Sequence, residues 1–396
     1  METVQLSTAE MIADPYPVYR ELRDQSPLNC AWLPAGALPG VEEPIQAWAL
    51  MRYEDVYAAL RDHTTFSSAR SPLLRDAFPP ITLLEDDPPR HTRLRRLVNK
   101  AFTVKRIEAL TPWIRGVANQ LLDELRGGEN DLVPGYTAPL PIRVIARLLG
   151  IPGEEYATFK RWSDALVATA PTDKTENTQN IEEMMGYFGQ MAAARRAQGA
   201  EDLITALVEA EVEGEKLEEW EILGICMLLL VAGNETTTHL IGNMLNVFAE
   251  RPALWRQLGV DRSLAETVIE ETLRYESPVQ LLQRTTTRDV EVSGVRIPAG
   301  DVVNIYYGAA NRDPGEFPNP DEFRLDRDQS DHVAFGMGVH YCLGAPLARA
   351  EAKVTLNAFL DQFSTIRRGH GPAVRQTTSD VVFGFRQLPL VLEKDG

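Results

Sequence analysis

The residues best suited to chemistry run from Phe335-Gly336-Met337-Gly338-Val339-His340-Tyr341-Cys342-Leu343-Gly344-Ala345 directly into Pro346-Leu347-Ala348-Arg349-Ala350-Glu351. Two glycines, a lone cysteine, a third glycine and a proline-opened helical pattern describe a tight loop feeding a helix N-terminus. A sulfur there faces peptide N–H groups and the positive end of a helix, which favour thiolate over thiol and make a metal-ligand environment. The ordinary alternative is a buried thiol beside a glycine-shaped surface turn. A dinucleotide-binding turn fits poorly, because the third glycine waits until Gly344 and no strand-turn-helix spacing follows. Zinc fits poorly too: beyond His340 and Cys342, no CxxC or HxxxH pair supplies ligands.

Those residues need elements to hold them. The longest helical stretch, Leu217 to Ala249, would span about 50 Å at the usual rise. It is apolar through Leu228-Leu229-Leu230-Val231 and then turns polar at Ala232-Gly233-Asn234-Glu235-Thr236-Thr237-Thr238, a run of weak helix formers. A threonine hydroxyl can divert a carbonyl there and open a bulge; on the residues alone, the plain reading is a tolerated kink with Glu235 facing solvent.

A second helix follows Asp87 and runs to Phe102, started by Pro88 and Pro89. His91 and Arg95 continue its apolar stripe through Val98 and Phe102, so two polar or cationic groups point inward, where they need an anion or must snorkel out. From Pro88 to Ile107 the chain carries Arg90, Arg93, Arg95, Arg96, Lys100, Lys105 and Arg106 without an acid, a basic island that is either a solvated face or a docking surface. A third helix, Asp261 to Ser277, is expected to open on a Ser263/Glu266 capping box and to close before Pro278. Within it Glu271 and Arg274 form an i, i+3 pair, worth roughly 0.3 to 0.5 kcal/mol if exposed.

Further helices are expected at Tyr16–Asp24 and Glu54–Arg61, and through most of 107–215, with a polar break at Ala170–Asn180. Strands are expected at Ala47–Met51, Val290–Val292 and Val302–Tyr306, with turns at Gly294 and Pro298-Ala299-Gly300. Arg284 precedes them as a sheet-edge charge. The stretch Thr65–Leu84, whose Leu73, Leu74, Phe78 and Ile81 keep no period, reads as filler or as a lid.

The 396 residues contain no repeat, low-complexity tract or Gly/Ser linker, so one domain over residues 1–396 is expected. A content of 44% hydrophobic and 24% charged residues suits a substantial core. The net charge of −17 argues against nucleic-acid binding. Met1 to Pro27 lacks a signal-peptide layout, and the longest apolar run, Ile222 to Gly233, falls short of the roughly 20 residues of a membrane span, so a cytoplasmic protein is expected. Three dispersed cysteines form no disulfide framework and cannot build a four-thiolate iron–sulfur cluster.

The loop Phe335-Gly-x-Gly-x-His340-x-Cys342-x-Gly344 resembles the signature of the cytochrome P450 family without a miss. The resemblance implies a mostly α fold with a smaller β region, in which a long central helix and the cysteine-loop helix enclose haem b, its iron held by Cys342. His91-Thr-Arg-Leu-Arg95 looks like the family helix that binds the haem propionates, Arg284 like a third propionate ligand, and His340 is a fourth polar haem contact. Ala232-Gly233-x-Glu235-Thr236 resembles the oxygen-binding groove, with Glu235 and Thr236 relaying protons. Glu271-x-x-Arg274 resembles the family's buried structural pair, although Glu322 stands where an arginine often completes that network. Val279 and Leu282 would line the pocket, and the basic island would steer a ferredoxin. The implied activity is a haem-thiolate monooxygenase that uses O2, a small to medium apolar substrate and electrons from NAD(P)H through a separate reductase and ferredoxin, acting as a monomer. The alternatives are a peroxide-driven peroxygenase and a non-catalytic haem protein.

Overall fold

A helix of 32 residues, Glu219–Glu250, runs through the middle of the molecule. It starts sharply because Glu218 and Glu221 cap each other's backbone reciprocally, and the chain leaves it at Arg251, just before Pro252. Its flanks pack against Pro139–Leu149, Tyr156–Val167, Lys174–Ala197, Ala265–Tyr275 and Ala345–Gln362. One continuous apolar core fills the spaces between these helices. The computed structural model describes residues 4–6, 8–33, 45–69, 81–125, 128–167, 174–328 and 331–394.

The polar run Ala232–Thr238 opens no bulge: the central helix continues through it. Thr236 Oγ1 does donate to the Ala232 carbonyl, at 2.6 Å, without breaking the ladder. Gly233 lets the neighbouring helix come close: a Cβ there would stand 3.2 Å from Ile145 Cδ1, which would have to give by a few tenths of an ångström.

The largest sheet among the described residues has six strands, in the order Val4–Gln5, Leu28–Leu33, Ile45–Leu50, Val302–Tyr306, Leu281–Thr286, Phe66–Ser67, beside one three-stranded and three two-stranded sheets. Leu281–Thr286 was not evident as a strand because its half-polar text has no alternation; antiparallel pairing with Val302–Tyr306 makes it one. The expected strand near Ala47–Met51 is Ile45–Leu50, and Tyr53–Arg61 forms the helix expected from Glu54. The helix beginning at Lys174 shortens the expected break at 170–180, whose first residues lie outside the described ones, as do Leu73, Leu74 and Phe78. Among the described residues, no helix is long and apolar enough to cross a membrane.

The Ala265–Tyr275 helix departs from its expected start. Asp261, not Ser263, supplies the cap, and it caps the 3-10 turn Arg262–Leu264 that leads into the helix: the Asp261 carboxylate accepts from the Ser263 amide at 3.0 Å and the Ser263 hydroxyl at 2.6 Å. Glu266 instead reaches Lys353, at 2.6 Å, on the Ala345–Gln362 helix. A carboxylate outcompetes a hydroxyl for amide donors.

Glu271 and Arg274, both fully buried, are a core ion pair with two bonds of 2.8 Å. The remaining Arg274 donors reach the carbonyls of Asn311 at 3.0 Å, Pro320 at 2.9 Å and Glu322 at 3.0 Å. Glu322 thus contributes only its backbone; the second cation is Arg327, whose Nε lies 3.3 Å from Glu271 Oε1. Replacing Glu271 by Gln leaves two buried guanidiniums without a counter-charge, and we expect a loss of about 3–5 kcal/mol in urea unfolding. A loss below about 1 kcal/mol would mark the pair as no stronger than a surface one.

Candidate functional site

The cysteine loop needs left-handed backbone at two points. Gly336 has φ +67 and Gly338 φ +66, and at Gly338 a Cβ would also come within 2.8 Å of the Leu60 carbonyl. The Cys342 amide closes the loop on the Phe335 carbonyl at 2.9 Å. Both ends of the loop are tied to the Ala265–Tyr275 helix. Ahead of it, Arg274 holds the Asn311 carbonyl and the Asn311 side chain accepts from the Val333 amide at 2.7 Å. Beyond it, Arg349 grips Glu270 with two bonds of 2.7 Å while His332 holds the same carboxylate at 3.0 Å. Burial alone would raise the Glu270 carboxyl, but these partners carry it down to about 2.

Cys342 Sγ receives the backbone N–H groups of Gly344 and Ala345, as a sulfur at the head of the Ala345–Gln362 helix should. Burial nonetheless outweighs those amides and the nearby Arg95 and Arg349 charges, and the thiol is pushed up. Loop and helix end therefore do not by themselves make a thiolate; a bound cation would have to. Among the described residues no three His, Cys, Asp or Glu side chains gather as metal ligands, so a metal on Cys342 would need a group carrying its own donors.

The structure brings His91, Arg95, Arg284 and His340 together from three separate elements. The His91 and His340 rings meet at a 44° tilt with centroids 4.1 Å apart. Arg95 donates to the Tyr341 carbonyl at 2.7 Å, and Arg284 lies against the Tyr307 hydroxyl. Burial, then the charges of His91, Arg284 and Arg95, push His340 down to about 3; burial and Arg95 depress His91 as well. Among the described residues none of the four is paired with a carboxylate, and the buried His91 Nε2 has no partner at all. A pocket of positive potential and unmet donors fits a haem whose two propionates enter it.

Glu235 and Thr236 lie on the central helix, on a stripe with Leu228, Val231 and Ala232 that stays uncovered while most of the surrounding helix is buried. Glu235 does not face open solvent: Lys160 Nζ is 3.3 Å from Oε1, and His239 Nε2 is 3.7 Å from Oε2. Thr236 spends its hydroxyl proton on Ala232, and its oxygen remains free to accept.

Sequence reasoning missed Ser68, whose Oγ lies 2.9 Å from His340 Nε2, and also Tyr307, Lys160 and His239. Only His239 carried a signal, its i, i+4 spacing from Glu235. The basic island is largely answered within the chain. Arg90 pairs with Asp86 and Glu221, Arg93 with Glu221 and Glu215, Arg96 with Glu213, and Lys100 with the Glu211 carbonyl. Arg95 alone of these turns to the cysteine loop. A groove of about 340 Å³ opens instead on the outer side of that loop, lined by Glu270, His332, Phe335, Met337, Tyr341 and Arg349 among others.

Buried His239 carries a pH cost. Burial first, then Lys160 and Arg375, push it down to about 3, so it stays neutral when folded but takes a proton once unfolded, near its ordinary value of about 6.5. Stability is therefore lost as pH falls below that value, by about 2 kcal/mol at about pH 5. We expect His239→Asn to flatten this acid limb in urea unfolding measured across pH; an unchanged limb would contradict it.

A family model described as Cytochrome P450 matches residues 43–131 and 257–391. The chain is 38% identical over 387 residues to Cytochrome P450 109 of Bacillus spizizenii, covering 95% of this chain and 91% of that protein. It is 38% identical over 352 residues to the erythromycin C-12 hydroxylase of Saccharopolyspora erythraea, covering 87% and 89%. Among solved structures, CYP109E1 from Bacillus megaterium in complex with testosterone superposes with TM-score 0.83 at 34% identity, covering 96% of this chain and 99% of that one.

Proposed function

This chain belongs to the cytochrome P450 family, and from that premise we propose that it inserts one oxygen atom of O2 into an apolar polycyclic or macrocyclic substrate, with electrons from NAD(P)H delivered by a separate reductase and ferredoxin. It is an oxidoreductase of the monooxygenase class with haem b as its cofactor. When bound, the haem supplies dioxygen activation, which thiolate ligation favours. The observation that carries the reading is the juxtaposition, beside Cys342, of His91 and His340 with Arg95 and Arg284, two cations that no carboxylate of the described residues pairs.

Cys342 Sγ would hold the iron in this reading, as a thiolate. His91, Arg95, Arg284 and His340 would hold the propionates. Leu228, Val231 and Ala232 present an apolar wall to the substrate, and Val279 and Leu282 add further apolar lining. Glu235 takes up protons from the Lys160 side, and Thr236 Oγ1, free to accept, hands them on. The erythromycin hydroxylase and the testosterone complex among the relatives support a bulky, largely apolar substrate. The electron donor meets the outer face of the cysteine loop, where Tyr341 and Arg349 line a groove. We also place the protein in the cytoplasm, as a monomer.

The test is turnover of a steroid and macrolide panel under ¹⁸O2 with a surrogate ferredoxin, its reductase and NADPH. One ¹⁸O atom should enter the product, and omitting ferredoxin should abolish it; full turnover on hydrogen peroxide alone, indifferent to ferredoxin, would contradict the reading. In the same assay Thr236→Ala should divert electrons to hydrogen peroxide and lower product formed per NADPH by about tenfold. Undiminished coupling would remove Thr236 from the proton route.

A further inference from the structure

His239 follows Glu235 by four residues, one turn along the central helix, and is 4% exposed. A neutral imidazole has one donor and one acceptor nitrogen, and the surroundings choose between them. Nε2 lies 3.7 Å from Glu235 Oε2. Nδ1 has no partner and faces Gly384, where a Cβ would come within 2.1 Å of it. A proton on Nδ1 would abandon a buried donor against a glycine and aim a bare lone pair at a carboxylate. A proton on Nε2 aims the donor at the carboxylate and leaves only an acceptor unmet, the cheaper arrangement.

The charged groups around the ring agree with a neutral imidazole. Lys160 approaches from the Tyr156–Val167 helix and Arg375 from the strand Val374–Arg375; Arg375 is itself tied to Asn243 at 2.7 Å and to Glu276 at 3.0 Å. Glu235 is consequently held on both oxygens by different elements: Lys160 at 3.3 Å and the Asn234 amide at 3.4 Å on Oε1, His239 on Oε2. At 3.7 Å the last contact is a charge–dipole approach, and a modest turn of the soft terminal torsion of Glu235 closes it to a hydrogen bond.

We propose that His239 is a positioning residue for Glu235, its Nε2–H holding the second carboxylate oxygen from within the central helix, so that the acid keeps one orientation even when Lys160 on the neighbouring helix lets go. The proposal rests on the reading that Glu235 faces the haem cavity. With Asn234 on Oε1, His239 anchors both carboxylate oxygens from the same element as Thr236, which a lysine on another helix does not provide.

The test reads the C–O stretching band of carbon monoxide bound to the reduced holoprotein, a reporter of polar groups in the cavity that needs neither substrate nor turnover. Glu235→Gln should displace the wild-type band. His239→Leu should split it, as the carboxylate gains a second orientation, and His239→Gln, which keeps a donor, should restore a single band at the wild-type position. A displaced band in Glu235→Gln with an unaltered one in His239→Leu overturns the proposal alone. An unaltered band in Glu235→Gln overturns the reading of Glu235 and the proposal with it. A second measurement needs no variant: ¹⁵N spectra of the diamagnetic carbon monoxide form should show His239 protonated on Nε2 and bare on Nδ1, and the opposite tautomer or an imidazolium would overturn the proposal.

Discussion

Arg274 exposes no surface, and each arm of its guanidinium is bonded: two to Glu271 and the rest to backbone carbonyls of Asn311, Pro320 and Glu322. A buried cation tolerates that position only when every donor is met, so the pair dictates where those distant segments lie. Asn311 passes the constraint to Val333, two residues before Phe335, and neighbouring Glu270 passes it to Arg349, seven residues after Cys342. The sulfur is thus placed by a loop clamped at both ends to one short helix. Gly336 and Gly338 let the backbone make the turn between the clamps.

The same rule about buried charge separates two sets of arginines that look alike in the sequence. Arg90, Arg93 and Arg96 find carboxylates at Asp86, Glu213, Glu215 and Glu221, and their charge is spent on joining the Arg90–Ala101 helix to its neighbours. Arg95 and Arg284 find none among the described residues, and with His91 and His340 they leave a positive pocket that the protein does not fill. The unbalanced set is the informative one, because an interior cation without a partner implies a partner of another kind. The proposed haem supplies two carboxylates there and a metal for Cys342.

Legibility followed locality. The cysteine loop, the central helix and the Glu271–Arg274 spacing were readable because each is written in consecutive or nearly consecutive residues. The burial of that pair was not readable from spacing alone and entered through the resemblance. What stayed hidden depends on segments far apart in the chain. Leu281–Thr286 becomes a strand through its neighbour Val302–Tyr306. Arg93 and Arg96 of the basic island are answered by Glu221 and Glu213, 128 and 117 residues away. Arg327 stands in for the arginine expected at 322 because the guanidinium needs only to reach Glu271, not to occupy one position in the chain. The amides of Gly344 and Ala345 favour the Cys342 thiolate as its place before a helix suggested, but desolvation, a tertiary quantity, pushes the thiol up against them.

The whole account turns on the bond between Cys342 sulfur and haem iron, and the absorption spectrum of the reduced, carbon monoxide-treated protein reads that bond directly. Wild-type protein should show the strongly red-shifted band of thiolate coordination, and Cys342→Ser should lose it while keeping its helical content. A wild-type spectrum without that band, or a serine variant that retains it, would contradict the account at its base.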